Sequence, residues 1–330
     1  MPSVWQQELY FAVRETSSIN DVALSEDARY LAVAYGVCVD IWDLKNTTNA
    51  APLAQYKPNS LIHPISFLIW SPGSYRLAIC FEAGLVCVIT MNMDGGEKFS
   101  LAVGFCFESG QGSPRSKVFA AFLREDILAV AMGRDVEIRY FLDSNNDPRW
   151  DLKSTLAAST PPMSRYPSVG DIQSIHWFTG DRILISYENH VADLWMFKQS
   201  PEGFLTYTHK LTMTLPGIIN DVSPAKGTIL VAAAGTYQVL VLGSTTAQGI
   251  FIPRDPITKY PQTASCARYL SDDVIIGAGT GQLVLWNIDL GNRLQNLPLL
   301  DKDGGPTTYH ICYPTGNRQP TVQKKILGGL

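Results

Sequence analysis

The chain has 330 residues, 46% apolar and 17% charged, with a formal net charge of -4. That composition suits a packed globular protein and excludes a disordered chain. It offers no basic footprint, so neither nucleic acid nor an anionic membrane is an expected partner.

Taken in chain order, one succession of short strands keeps returning. Ser18-Ile-Asn-Asp-Val-Ala-Leu-Ser25 reads as a strand, Glu26 to Ala28 as a turn, and Tyr30-Leu-Ala-Val-Ala34 as a small-residue strand. After a tight turn at Gly36, an alternating strand sets Val37, Val39 and Ile41 on one face. The same events follow at Pro64–Pro72, Arg76–Cys80 and Gly84–Thr90, then at Val118–Leu123, Ile127–Ala131 and Asp135–Phe141. They return at Ile172–Trp177, Arg182–Ser186 and His190–Trp195, and at Ile219–Ser223, Thr228–Ala232 and Tyr237–Leu242. A sixth copy runs through Ser265–Leu270, Val274–Gly277 and Gly281–Trp286. Corresponding third-strand positions fall at 42, 90, 141, 195, 242 and 286. Single sheets of this kind have no covering layer of their own, and radial repetition lets each pack its faces on its neighbours.

Ile41-Trp42-Asp43 carries a Trp-Asp signature, echoed at Leu194-Trp195 and Leu285-Trp286-Asn287; Ser25-Glu-Asp-Ala28 and Ser71-Pro-Gly-Ser74 occupy the turn that precedes the second strand. These residues resemble the WD40-repeat family, over about Ser18 to Asp289. The resemblance implies an all-β, WD40-like β-propeller, seven-bladed with the last blade incomplete, in a single domain spanning 1–330. Six repeats lie within 18–289. Thr307–Tyr313 and Lys325–Leu330 form a partial seventh within 305–330, and residues 1–17, around Leu9–Val13, supply the outer strand that closes it. On this reading either the chain is cut short within that blade or the last blade is degenerate, and the well-formed run Ile326–Leu330 favours the first expectation. The family's usual repeat is about 40 to 45 residues, so most units here are expected to carry longer loops, notably Gly104–Ser116, Asp143–Arg149 and Ser159–Pro162.

Chemistry is hard to find. The histidines 63, 176, 190, 209 and 310 lack paired metal spacing, no Gly-x-Ser-x-Gly elbow occurs, and only Cys312 has a near histidine, His310. Gly277-Ala-Gly279-Thr-Gly281 precedes no helix and reads as a hairpin turn whose glycines supply positive φ. Glu125-Asp126 and Asp272-Asp273 read as turn carboxylates. Asp21 and Asp221 share an Ile-Asn-Asp-Val motif and read as structural, with a channel-rim role as the alternative. Cys38, Cys80, Cys87 and Cys266 lie in apolar runs and read as buried free thiols, while Cys106 and Cys312 complete the six.

Met1–Tyr10 shows no secretory signal, and no window approaches the roughly 20 apolar residues of a membrane span, so the cytosol, with the nucleus open, is the expected compartment. Catalytic residues, metal ligands and cofactor sites are expected to be none. The expected function is a protein-interaction scaffold that binds partners through propeller faces or loops. Tyr56, Trp150 with Arg149, Tyr166 with Arg165, Phe204, Tyr207, Phe251 and Tyr260 read as loop aromatics and candidate contacts. The rival reading is a propeller enzyme, lactonase- or hydrolase-like, with a central-channel site. Its metal would have to come from Asn20, Ser66, Ala120, Ser174, Asn220 and Cys266, a poor donor set.

Overall fold

A computed structural model describes residues 19–27, 29–45, 52–58, 63–73, 75–94, 98–108, 118–142, 149–157, 170–178, 181–199, 205–223, 225–233, 236–244, 247–251, 267–279, 282–298, 307–312 and 321–326. They fall into two compact units. The first takes the described residues of 11–181 with 187–189, and the second those of 182–186 and 190–330.

In the first unit, β1 (Ile19–Leu24), β2 (Tyr30–Tyr35), β3 (Cys38–Asp43) and β4 (Ala54–Tyr56) pair in that order. So do β5 (Ile65–Trp70), β6 (Arg76–Phe81), β7 (Leu85–Asp94) and β8 (Lys98–Glu108). The third sheet is β9 (Val118–Arg124), β10 (Ile127–Met132), β11 (Asp135–Leu142) and β12 (Arg149–Ala157), and β13 (Ile172–Phe178) follows. Every ladder within these sheets is antiparallel.

The two-residue period of a strand explains why both alternating sets in the central strands are apolar. In β6, Leu77, Ile79 and Phe81 join a core with Val39, Ile41 and Tyr56 of the first sheet. The intervening Ala78 and Cys80 join another with Ala120, Leu128 and Val130 of the third. The second sheet therefore serves as the cover of both its neighbours, and each large buried side chain contributes about 1.5–3 kcal/mol. The small residues of β2 and β10 fit this sandwiching, being buried almost throughout.

The second unit holds β14 (Arg182–Tyr187), β15 (Val191–Gln199) and β16 (Leu205–Thr214), paired in that order. Next come β17 (Ile218–Ser223), β18 (Thr228–Ala233), β19 (Thr236–Val241) and β20 (Ala247–Phe251), then β21 (Ala267–Ser271), β22 (Val274–Gly279), β23 (Gln282–Asn287) and β24 (Asn292–Pro298). A two-stranded sheet closes the series, β25 (Thr307–Cys312) with β26 (Thr321–Ile326). Tyr237, Val239, Phe251, Tyr269, Ile275 and Trp286 pack between two of these sheets.

Hydrogen bonds repeat with the strands. In five repeats a residue at or just past the end of the third strand's pairing with the second donates to the carbonyl before the second: Leu44 to Arg29, Met91 to Tyr75, Phe141 to Asp126, Leu242 to Gly227 and Ile288 to Asp273. The tight turn between second and third strands accepts from the chain entering the next repeat, from Ile65 at Gly36, Ile172 at Gly133 and Leu215 at His190. Gly36 and Gly133 hold positive φ there, 55° and 61°. The corresponding turn puts His190 at φ 60°, a conformation uncommon for a side chain with a Cβ. His190→Gly is therefore expected to add about 0.5–1 kcal/mol of stability, the left-handed strain outweighing glycine's unfolded-state entropy. A lower urea midpoint for the variant would show that the imidazole makes up for the strain.

Several sequence expectations are corrected. Gly277 and Gly279 belong to strand β22 rather than to a hairpin turn, and Gly277 has no positive φ. The second strand of the last hairpin is Thr321–Ile326, so it begins earlier than the expected Lys325–Leu330 and shares Lys325 and Ile326 with it, while residues 327–330 lie outside the described residues. Fourth strands fill stretches read as loops: residues 104–108 lie in β8, and Arg149 and Trp150 lie in β12. Cys38 and Cys80 are free and buried as expected, but Cys87 is disulfide-bonded; its cross-strand partner in register is Cys106. Residues 1–18, the stretches 109–117, 143–148 and 158–169, and Cys266 lie outside the described residues.

Candidate functional site

Polar side chains of the first strands hold neighbouring sheets together. In the first unit Asp21 Oδ2 accepts the Leu68 N–H at 2.7 Å, and Asn20 Nδ2 donates to the Ile65 carbonyl at 2.8 Å. Ser66 Oγ lies within 3.2 Å of the Cys80 carbonyl and 3.3 Å of the Val118 carbonyl. The Trp70 indole donates to the Ala23 carbonyl at 3.0 Å, and Trp177 repeats this on Ala121 at 2.7 Å. In the second unit Asp221 Oδ2 accepts the Tyr269 N–H at 2.8 Å, the counterpart of the Asp21 bond. The shared Ile-Asn-Asp-Val motif thus marks one device used twice, a carboxylate that pins the next first strand. Ala120 is a buried core residue, and Ser174 Oγ meets His176 Nε2 at 3.0 Å.

A second polar constellation escaped the sequence reading. Asp193, 2% exposed on β15, has Oδ1 at 2.6 Å from Thr212 Oγ1 and 3.2 Å from His209 Nε2. Thr212 Oγ1 and His209 Nε2 are themselves 3.0 Å apart, and the imidazole stands edge-on to Trp195 at 5.2 Å. An Asp, a His and a hydroxyl invite comparison with a nucleophilic triad. In such a relay the imidazole receives the carboxylate on one nitrogen and the hydroxyl on the other. Here one nitrogen faces both groups, so the threonine is held by the carboxylate and is not activated. The first unit has a related cluster: Asp40 on β3 accepts from Gln55 Nε2 at 2.9 Å, and Gln55 Nε2 also reaches the Tyr35 hydroxyl at 2.7 Å. Burial and the adjacent Asp40 push the Tyr35 phenol well above its ordinary range. The available signal was the Asp-aliphatic-Trp pattern shared by Asp40-Ile41-Trp42 and Asp193-Leu194-Trp195.

The paired turn carboxylates are engaged locally. Lys226 Nζ binds Asp273 and reaches Asp289 at 3.1 Å, which holds the Asp273 carboxyl below its usual range, while Asp272 accepts from Ser223 Oγ at 2.6 Å. Arg124 pairs with Asp126 at 3.0 Å, and Arg76 donates to the Glu125 carbonyl at 3.0 Å. Of the aromatics read as loop contacts, Tyr56 and Phe251 are strand residues and buried, a correction that follows from their pairing with Val39 and Tyr237. Tyr207 lies on β16 and is 40% exposed. Arg165, Tyr166, Phe204 and Tyr260 lie outside the described residues. Among the described residues no three His, Cys, Asp or Glu side chains are grouped to hold a metal.

Antiparallel sheets repeated along the chain, with small aliphatic central strands buried in the cores between neighbouring sheets, define a β-propeller fold. No protein-family model matches the chain, and no curated protein matches it. Solved structures do. The crystal structure of the RRP9 WD40 repeats aligns with TM-score 0.61 at 12% identity, covering 93% of this chain and 94% of that one. The structure of U3-55K aligns with TM-score 0.59 at 12% identity over 93% and 95%. The Cps50 (Swd1) β-propeller domain of Myceliophteria thermophila aligns with TM-score 0.59 at 10% identity over 82% and 83%. The chain therefore has the WD40-type β-propeller fold expected from its repeats.

Proposed function

We propose that this chain is a non-enzymatic protein-interaction scaffold, a single domain over residues 1–330 that binds protein partners through its propeller faces or loops. The observation that carries this reading is the engagement of Asn20, Asp21, Ser66 and Asp221 in bonds between sheets. Side chains an enzyme would direct at substrate are here used to fasten strands. Seven blades, the last one incomplete at 305–330 with residues 1–17 as its outer strand, remain part of the proposal, as does a cytosolic or nuclear location. No helix among the described residues is long and apolar enough to cross a membrane.

Crosslinked affinity capture of the full chain, with elemental analysis of the purified protein, tests this reading. Recurrent, stoichiometric protein partners and no tightly retained metal are the expected results. A stoichiometric metal with hydrolytic turnover of lactones or esters would replace the scaffold by an enzyme.

A further inference from the structure

The last strand of a sheet presents unpaired N–H and C=O groups along its outer edge, and proteins blunt such edges with short strands, proline, glycine kinks or charge. In the second unit two of the three outer strands are protected in this way. Strand β20 has five residues and contains Gly249, and β24 carries Arg293 and ends at Pro298. Strand β16 is different. It runs ten residues, Leu-Thr-Tyr-Thr-His-Lys-Leu-Thr-Met-Thr, without proline, glycine or an acidic side chain, and among the described residues it pairs on one side only, with β15. Thr206, Tyr207 and Thr208 are all exposed, so both faces of the strand are open at this stretch.

The charge of this edge is one-sided, although the whole chain is acidic at -4. Lys198 lies opposite Thr206 at the end of β15, and Lys210 is the extra residue of a bulge between the Trp195–His209 and Leu194–Leu211 pairs. Both lysines are exposed, and among the described residues neither forms an ion pair. The one carboxylate on the two strands, Asp193, is 2% exposed and bonded to Thr212. Between the lysines, Tyr207 packs on Trp195 at 5.9 Å and on Phe197 at 6.3 Å, an aromatic platform at the strand's rim.

We propose that the outer edge of β16 receives an extended acidic peptide of a partner protein as an added strand. This rests on the scaffold reading and names the surface and the chemistry of the partner. Backbone hydrogen bonds would supply the attachment, alternate apolar side chains would lie on Tyr207, and carboxylates would meet Lys198 and Lys210. A second copy of this chain fits less well, because edge-to-edge pairing would set lysines against lysines.

The test uses the full chain and two labelled extended peptides, one alternating valine with glutamate and the other valine with lysine. Fluorescence anisotropy should show binding of the glutamate peptide alone, weakening with added salt. The double variant Lys198→Glu/Lys210→Glu, folded by circular dichroism because both side chains are exposed, should lose on the order of tenfold in affinity. Bound peptide should slow amide exchange across Leu205–Thr214 and leave β20 and β24 unchanged. Failure of the glutamate peptide to bind, equal binding by the double variant, or protection elsewhere would overturn the proposal. So would self-association of the wild type that the double variant abolishes. In affinity capture, a double variant that keeps every partner of the wild type would defeat this edge while leaving the scaffold standing. A wild-type chain that captures nothing would defeat the scaffold instead.

Discussion

Gly277→Ala is expected to destabilise the protein by about 3 kcal/mol, at the upper end of overpacking costs in a filled core. An added Cβ at this position would stand 2.3 Å from Tyr237 Cε2 and 2.8 Å from Cζ. The ring has nowhere to go: Tyr237 is fully buried and packs edge-on to Trp286 at 5.8 Å, within the core between the sheets of β17–β20 and β21–β24. Glycine is present to admit that ring, and the strand conformation asks nothing unusual of its φ. A double-mutant cycle separates this cause from a backbone effect. Tyr237→Ala alone should cost about 3–5 kcal/mol, as large aromatic truncations do. In the Tyr237→Ala background the glycine substitution should become nearly neutral. Additive losses in urea unfolding would mean that the clash is not the reason for the glycine.

The second large effect is expected at Asp221. Burial raises its carboxyl above the ordinary range, opposed in part by Arg268 and by the N–H groups of Tyr269 and Val222. The unfolded carboxyl titrates near pH 3.9, about the value of a free aspartate. A raised folded pKa means that the native state binds the proton more tightly than the unfolded chain. The ionised carboxylate therefore opposes folding above the folded pKa, and the penalty is relieved as pH falls through that value. Asp221→Ala removes the acceptor of the Tyr269 N–H and should cost about 2 kcal/mol, since a buried donor is left without a partner. Asp221→Asn keeps an oxygen for that donor and removes the charge. It should match the wild type or exceed it by about 1 kcal/mol near neutral pH, the advantage shrinking toward pH 4. Asparagine and alanine variants that lose stability equally at neutral pH would show that the charge itself holds the staple.

Much of the architecture was legible from the residues. The central strands are short runs of small and aliphatic side chains, and such runs must be covered on both faces, so stacking in series follows from their composition. Three signals were misread for one reason: their meaning depends on a neighbour. Tyr56 and Phe251 follow turn-rich segments and look like loop contacts, yet pairing with Val39 and Tyr237 makes them core residues. Glycine at 277 resembles turn glycine in sequence, and only the ring of Tyr237 reveals its purpose. Fourth strands such as β16 and β20 were missed because they are rich in polar or exposed residues, so their apolar alternation is faint.

The candidate site divides in the same way. The echo of Asp21 and Asp221 was visible in the shared motif, but a motif carries no acceptor geometry. Whether those carboxylates face solvent or a backbone N–H depended on where Leu68 and Tyr269 came to lie, 47 and 48 residues further on. The cluster of Asp193, His209 and Thr212 is assembled across two strands, and its character turns on which imidazole nitrogen meets which oxygen. Periodicity and composition by themselves determined that this chain is a repeated all-β protein, and the Trp-Asp signatures added its resemblance to the WD40 propellers, because strand period and short motifs are local properties. Tertiary structure alone decided which polar groups are staples and which glycine yields to a ring, because those depend on contacts between residues far apart in the chain.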